Sequence, residues 1–306
     1  MALLAGCASA GPGGSSRPSS GFAGDPALDA LAHVLARGTL VLPVDPAYPP
    51  ASFAVKGAVR DTASKCESDQ LTGAEVDGYD VATGKLVAES LGVEPCFVTP
   101  TWVQLLAGHW ADRWDIAISS IGITTSRMAA LSFTRPYYAT PERFYVKARS
   151  GVESMSDLDG LRIGVCGDCF ADLYLQKRLD IPGATIEYAV DDAVIVPFAI
   201  ERTGLEEVAS GTLDAFLCQE TAGDQAIAEG LPLVALDPAP YAAYPAGAID
   251  RSSAYDESAF LERVNAILGA HLADGSLAQL SLQHFGKDYA TPAASFDVSV
   301  LIQDPS

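Results

Sequence analysis

The chain is poor in positive charge. In 306 residues, 19 lysines and arginines stand against 39 aspartates and glutamates, a net charge of −20. Nucleic acid is excluded as a partner, because neutralising phosphates needs clustered Lys and Arg. Long apolar runs are also missing: no stretch of 18 or more apolar residues exists, so no segment reads as a membrane-spanning helix. His33, His109, His271 and His284 are scattered over expected helices, not grouped at metal-ligand spacing, and no metal is expected. Gly-x-Ser-x-Gly, His-Glu-x-x-His and a phosphate-binding loop are absent, and no cofactor is expected. With 49% apolar and 19% charged residues, wholesale disorder is excluded too.

What is present is an alternation of strands and helices, at a length that suits two lobes. Strands are expected at 39–44, 94–99, 116–118, 161–165, 184–190, 213–217 and 231–236. Helices are expected at 25–37, 80–91, 102–110, 170–179, 194–210, 225–230, 257–273 and 276–285. Residues 56–76 read as a polar, turn-rich insertion. Such alternation implies an α/β fold with parallel sheets and flanking helices. Ligands of such sheets bind beyond the carboxyl ends of strands, where Asp45, Ser119, Cys166 and Cys218 fall.

The stretch Trp114–Tyr138 organises the rest. After an apolar run at 116–118 come Ser119, Ser120, Gly122, Thr124, Thr125 and then Arg127. Hydroxyls, free backbone N–H groups and a following helix start suit a small anion. Arg127 adds a planar fork of donors that matches a carboxylate in two places.

The N-terminus reads MALLAGC, and Leu4–Cys7 resembles the lipobox at which bacterial lipoprotein signal peptides are cut and Cys7 is lipidated. A Gly/Ser/Pro tether follows. Outside the cytoplasm thiols usually pair. Cys66 with Cys96 and Cys166 with Cys169 are the candidate disulfides, which leaves Cys218 over; the sequence leaves the connectivity open.

Six segments in order, GTLVLPVDPAYPP, GYDVATGKLVAESLGV, DIAISSIGITTSR, LSFTRPYY, DLDGLRIGV and SGTLDAFL, resemble the bacterial extracellular solute-binding proteins of family 3, the amino-acid receptors of ABC importers. The similarity spans about 37–287. It implies a two-lobed, type II periplasmic-binding-protein-like fold with two crossover strands, closing on its ligand. By that pattern residues 1–37 are lipobox, tether and leading helix, 38–141 lobe 1, 142–247 lobe 2, 248–290 the return to lobe 1, and 291–306 a tail.

The resemblance also assigns roles. Arg127 corresponds to the arginine that holds the α-carboxylate, with Ser119, Ser120 and Gly122 beside it. Tyr48 and Trp102 correspond to the aromatic walls of the side-chain pocket, and Asp45 to a side-chain contact. Two departures stand out. Cys166-Gly167-Asp168-Cys169-Phe170 replaces the usual Gly-Thr turn, which brings Cys169 and Phe170 to the ligand. Gln219 replaces the aspartate that binds the α-ammonium, and it does not neutralise charge, so Glu220 or Asp168 is expected to compensate. The expected protein is a lipid-anchored, extracytoplasmic monomer. It captures a carboxylate-bearing solute, a polar or cationic amino acid or a derivative, and hands it to an ABC permease. Rival readings are an enzyme on the same fold, a dehydratase or hydrolase with its base among Glu220, Asp168 and Asp45, and a redox protein built on the CxxC motif.

Overall fold

The structure, a computed structural model, describes residues 24–301; Cys7 and the lipobox lie outside them. Its buried apolar side chains divide the chain into two bodies. Leu40, Leu42, Val87, Ile116, Phe260 and Leu268 belong to cores drawn from residues 31–138 and 246–301. Phe144, Ile163, Val165, Phe216 and Leu217 belong to cores drawn from residues 144–244. The chain therefore crosses between bodies twice, at 138–144 and at 244–246.

In the first body the fully buried strand Thr39–Pro43 runs parallel to Glu94–Val98, which also takes Leu71–Thr72 antiparallel. Burial on both faces explains the unbroken apolar run Leu40–Leu42. The helix Tyr79–Leu91 packs beside this sheet and ends at Gly92, whose φ of 75° is the left-handed conformation that closes helices. Leu131–Pro136 and Ala246–Asp250 pair antiparallel, joining outgoing and returning chain within one body.

The second body is a larger sheet, in the order Val194–Phe198, Arg162–Cys166, Ala215–Gln219, Thr140–Lys147, Leu233–Ala235, with Tyr241–Ala243 also on Thr140–Lys147. The first three strands are parallel, and Thr140–Lys147 runs against Ala215–Gln219. Gln219 and Tyr241 are both register partners of Glu142.

Several elements differ from the sequence reading. Residues 116–118 form no strand, because Ala117 alone bridges Ala248 while Asp115 N–H bonds Val41 O. Residues 184–190 are irregular. The helix at 102 stops at Leu106, where Gly108 and His109 take positive φ. Residues 194–210 split into a strand and the helix Glu201–Ser210, because β-branched Val194, Ile195 and Val196 pair with Arg162–Cys166.

Candidate functional site

The strand ends and helix starts of the two bodies face each other across a cleft. From the first body comes Arg127, in the short helix Thr125–Met128 capped by the Thr124 hydroxyl. Its side chain is buried, with Nη1 donating to Gly122 O at 2.9 Å and Nη2 to Asp168 O, in the other body, at 3.0 Å. The guanidinium carbon lies 5.0 Å from the Phe170 ring centroid and 5.6 Å from that of Trp102. Burial pulls its pKa down to about 10, opposed by Asp168, Glu142 and Tyr241, so it stays charged at neutral pH. Phe170 sits so close that a Cβ on Gly122 would fall 2.4 Å from its ring.

Ser120 takes φ 53° and sits in a polar chain that runs between the bodies. Its hydroxyl lies 2.7 Å from Asp80 Oδ2 and 2.7 Å from Tyr138 Oη, and Tyr138 Oη lies 3.0 Å from Gln219 Oε1. Ser120 donates to Asp80 and Tyr138 donates to Gln219. Burial pushes Asp80 up to about 7, although Ser120 and Tyr137 pull it back by donating to it.

Two carboxyls that the sequence reading passed over complete the cleft. Glu142, on the crossover strand, is buried; burial and then Glu201 hold its pKa well above the ordinary carboxyl range, while Arg127 lowers it. Glu201 opens the helix Glu201–Ser210 and is pushed up to about 7 by burial, with the Tyr48 hydroxyl lowering it and Asp45 raising it. Trp102 Nε1, Tyr241 Oη and Glu201 Oε2 are buried without a hydrogen-bond partner in the protein. Buried polar groups are nearly always satisfied, so these three are groups that water or a ligand can serve; Trp114 Nε1, Arg135 Nε and His271 Nδ1, elsewhere in the fold, are in the same state.

The expected residues fare differently. Asp45, Tyr48, Trp102, Gly122, Arg127, Phe170 and Gln219 share the cleft or its wall. Ser119 donates to Pro43 O at 2.8 Å, at the end of the first strand. Cys169 is bonded to Cys166, as Cys66 is to Cys96, and Cys218 is free and buried. Glu220 is tied up elsewhere: it accepts from Arg143, Lys287 and Tyr289, and so does not replace the missing aspartate. The side chain of Arg143 leaves its strand on the face opposite Glu142. Asp168 meets Arg127 through its main-chain oxygen.

Residues 40–287 match the bacterial extracellular solute-binding proteins, family 3. The chain belongs to this family. The L-arginine-binding protein of Pseudomonas aeruginosa is 27% identical over 187 residues, 61% of this chain and 67% of that protein. The L-cystine-binding protein of Escherichia coli is 24% identical over 260 residues, covering 84% and 86%. An L-arginine-bound crystal structure superposes with a TM-score of 0.71 at 19% identity, covering 89% of this chain and 99% of the other. This solute-binding protein thus has the two-lobed type II fold with two crossover strands, and it captures a solute outside the cytoplasm for ABC import.

Proposed function

We propose that the cleft binds a small amino acid, polar or cationic, or a close derivative, and that closure of the lobes on it is what an ABC permease recognises. Arg127 carries this reading. A buried guanidinium at the interlobe cleft, flanked by the unpartnered Trp102 Nε1, suits a carboxylate, and three of its five N–H groups remain beyond those used on Gly122 and Asp168. By the sequence pattern lobe 1 comprises 38–141 with 248–290 and lobe 2 comprises 142–247; the buried cores move the second boundary to 244–246 and add residues 31–37 and 291–301 to lobe 1, so the hinge lies in the two crossovers. Ligand contacts both lobes only when they are closed, so binding shifts the population toward closure.

The finer proposals follow from the sequence. Cys7 carries the lipid anchor, which places a monomeric receptor on the outer face of the membrane. Detergent phase partitioning of the parent and Cys7→Ala proteins tests this. The protein binds without turnover. Because an ancestral amino-acid-binding protein of similar fold is a precursor of cyclohexadienyl dehydratase (TM-score 0.67, 23% identity, covering 84% of this chain), ligand should be recovered and weighed by mass spectrometry; recovery of unchanged ligand supports a receptor.

The main test is a thermal-shift screen of amino acids, amines and carboxylates. A ligand at 100 times its Kd stabilises by about 2.7 kcal/mol, a rise of several degrees. A hit among free amino acids that Arg127→Ala loses supports the reading. Hits confined to compounds without a carboxylate would sink it.

A further inference from the structure

We propose that the Cys166–Cys169 disulfide is a thiol–disulfide exchange site that gates the cleft: a dithiol reductant opens it, and the reduced turn no longer holds the lobes closed on a ligand. The closure half of this inference needs no particular ligand. The capture half rests on the cleft reading above.

The first support is the place of the pair in the fold. It brackets the turn between the strand Arg162–Cys166 and the helix Phe170–Leu175. Inside the bracket lies Asp168, whose main-chain oxygen accepts from Arg127 Nη2 of the other lobe at 3.0 Å. Beside it lies Phe170, whose ring centroid is 5.0 Å from the same guanidinium. The disulfide therefore fixes the part of lobe 2 that meets Arg127 of lobe 1.

The second support is how little else restrains that turn. Asp168 takes φ 60°, the left-handed region that L residues seldom adopt unaided. Its N–H donates to Asp172 Oδ2 at 3.0 Å, and the Gly167 N–H reaches Phe198 O at 3.4 Å. With the sulfurs parted, these two bonds hold the turn against the relaxation of Asp168, and its carbonyl is free to swing away from Arg127.

Access is the third. Cys166 and Cys169 are part-exposed and Asp168 between them is exposed, whereas Cys66 and Cys96 are 7% and 0% exposed. Exchange needs a thiolate to reach a disulfide sulfur, so one reductant should tell the two bonds apart. A thiolate of the dithiol bonds to one sulfur of the pair, the Cys166–Cys169 bond breaks, and the departing sulfur takes a proton. The second thiolate of the reductant then attacks the mixed disulfide and releases the other cysteine, which is protonated in turn. Two electrons and two protons pass from the dithiol to the protein, the dithiol leaves as a disulfide, and the reverse exchange restores the bond.

Graded dithiothreitol on the natively folded full chain, followed by iodoacetamide and mass spectrometry, tests the inference. Cys166 and Cys169 should label at a dithiol concentration at least about tenfold lower than Cys66 and Cys96 require. Cys218, free but 1% exposed, should stay unlabelled while the fold holds. The radius of gyration of the ligand-free protein should rise on reduction and return with oxidised dithiothreitol. C66A/C96A should still switch, while C166S/C169S should be open and indifferent to both reagents; if C166S/C169S does not fold, the reversible cycle of the parent decides. With L-arginine, L-glutamine and L-glutamate as probes in turn, any that binds the oxidised parent should bind the reduced form at least about tenfold more weakly, a loss of 1.4 kcal/mol. Prior labelling of Cys66 and Cys96 overturns the gate, and so does labelling of Cys166 and Cys169 that leaves the radius, or a measured affinity, unchanged. If none of the three probes binds while the radius still switches, the gate stands and the amino-acid reading is the one that fails.

Discussion

Arg127 Nη2 donates across the cleft to the main-chain oxygen of Asp168 at 3.0 Å. The residue expected to hold the ligand therefore also joins the lobes. Arg127→Ala removes this bond and the one to Gly122 O, leaving two carbonyls short of a partner. That should cost about 1–3 kcal/mol of stability and shift the ligand-free protein toward the open form. Small-angle scattering should give a larger radius of gyration than the parent, with no compaction on adding ligand. A variant that still compacts with ligand would show that closure does not run through this arginine.

Gly122 is required by shape as well as by reach. A Cβ at this position would meet three Phe170 ring atoms at 2.4–2.8 Å, closer than real contacts allow, and Phe170 belongs to the other lobe. Gly122→Ala should therefore obstruct closure more than folding. Ligand affinity should fall at least about tenfold, which is 1.4 kcal/mol, while the melting temperature of the free protein moves little. Adding Phe170→Ala should relieve the clash and restore closure. If the double variant stays as open as the single one, the ring is not the obstacle.

Asp80 gives the stability a pH dependence whose sign can be worked out. Its pKa rises from 3.8 to about 7 on folding, chiefly through burial. Between those values the folded protein keeps a proton that the unfolded chain has released. Stability is then full below about 3.8 and is lost as pH rises through about 7, with a slope of up to about 1.4 kcal/mol per pH unit. Glu201 and Glu142 act in the same direction. Melting curves from pH 5 to 8 should show the decline, and Asp80→Asn should flatten it. An unchanged slope in that variant would assign the decline to other groups.

The arginine end of the site is legible in the sequence because it is local. Ser119, Ser120, Gly122 and Arg127 sit within one turn-to-helix stretch, and turn chemistry is readable from neighbours. The acidic end is not local. Glu142 stands in Thr140–Lys147, where Pro141-Glu142-Arg143 resembles a solvated strand, and only the pairing with Ala215–Gln219 sets it opposite Gln219. Glu201 was hidden by a wrong period: reading 194–210 as one helix buries it mid-element. The β-branched Val194-Ile195-Val196 with Pro197 was the available signal that a strand ends there, which places Glu201 at the mouth of the sheet. Glu220 shows the converse error. It neighbours Gln219 in sequence but faces the Lys287 and Tyr289 of the returning chain.

The two disulfides should separate stability from binding. Cys66–Cys96 ties the polar insertion to the strand Glu94–Val98 across 30 residues. A loop of that length restricts the unfolded chain enough to contribute about 3–4 kcal/mol. Replacing both cysteines by alanine should lower the melting temperature by roughly 5–10 °C and leave ligand affinity within about twofold, since neither residue lies at the cleft. Cys166–Cys169 spans 3 residues, a short loop with correspondingly less chain entropy to remove. It encloses Asp168, whose carbonyl receives Arg127, and it precedes Phe170, which stacks on that guanidinium. Its double alanine variant should melt closer to the parent yet bind ligand at least about tenfold more weakly, because the turn no longer holds that carbonyl in place. Calorimetry and melting on both variants check the pair of expectations. Should the Cys166–Cys169 variant bind normally, the turn is held by its sheet register alone and the disulfide has no part in presenting Asp168 to Arg127.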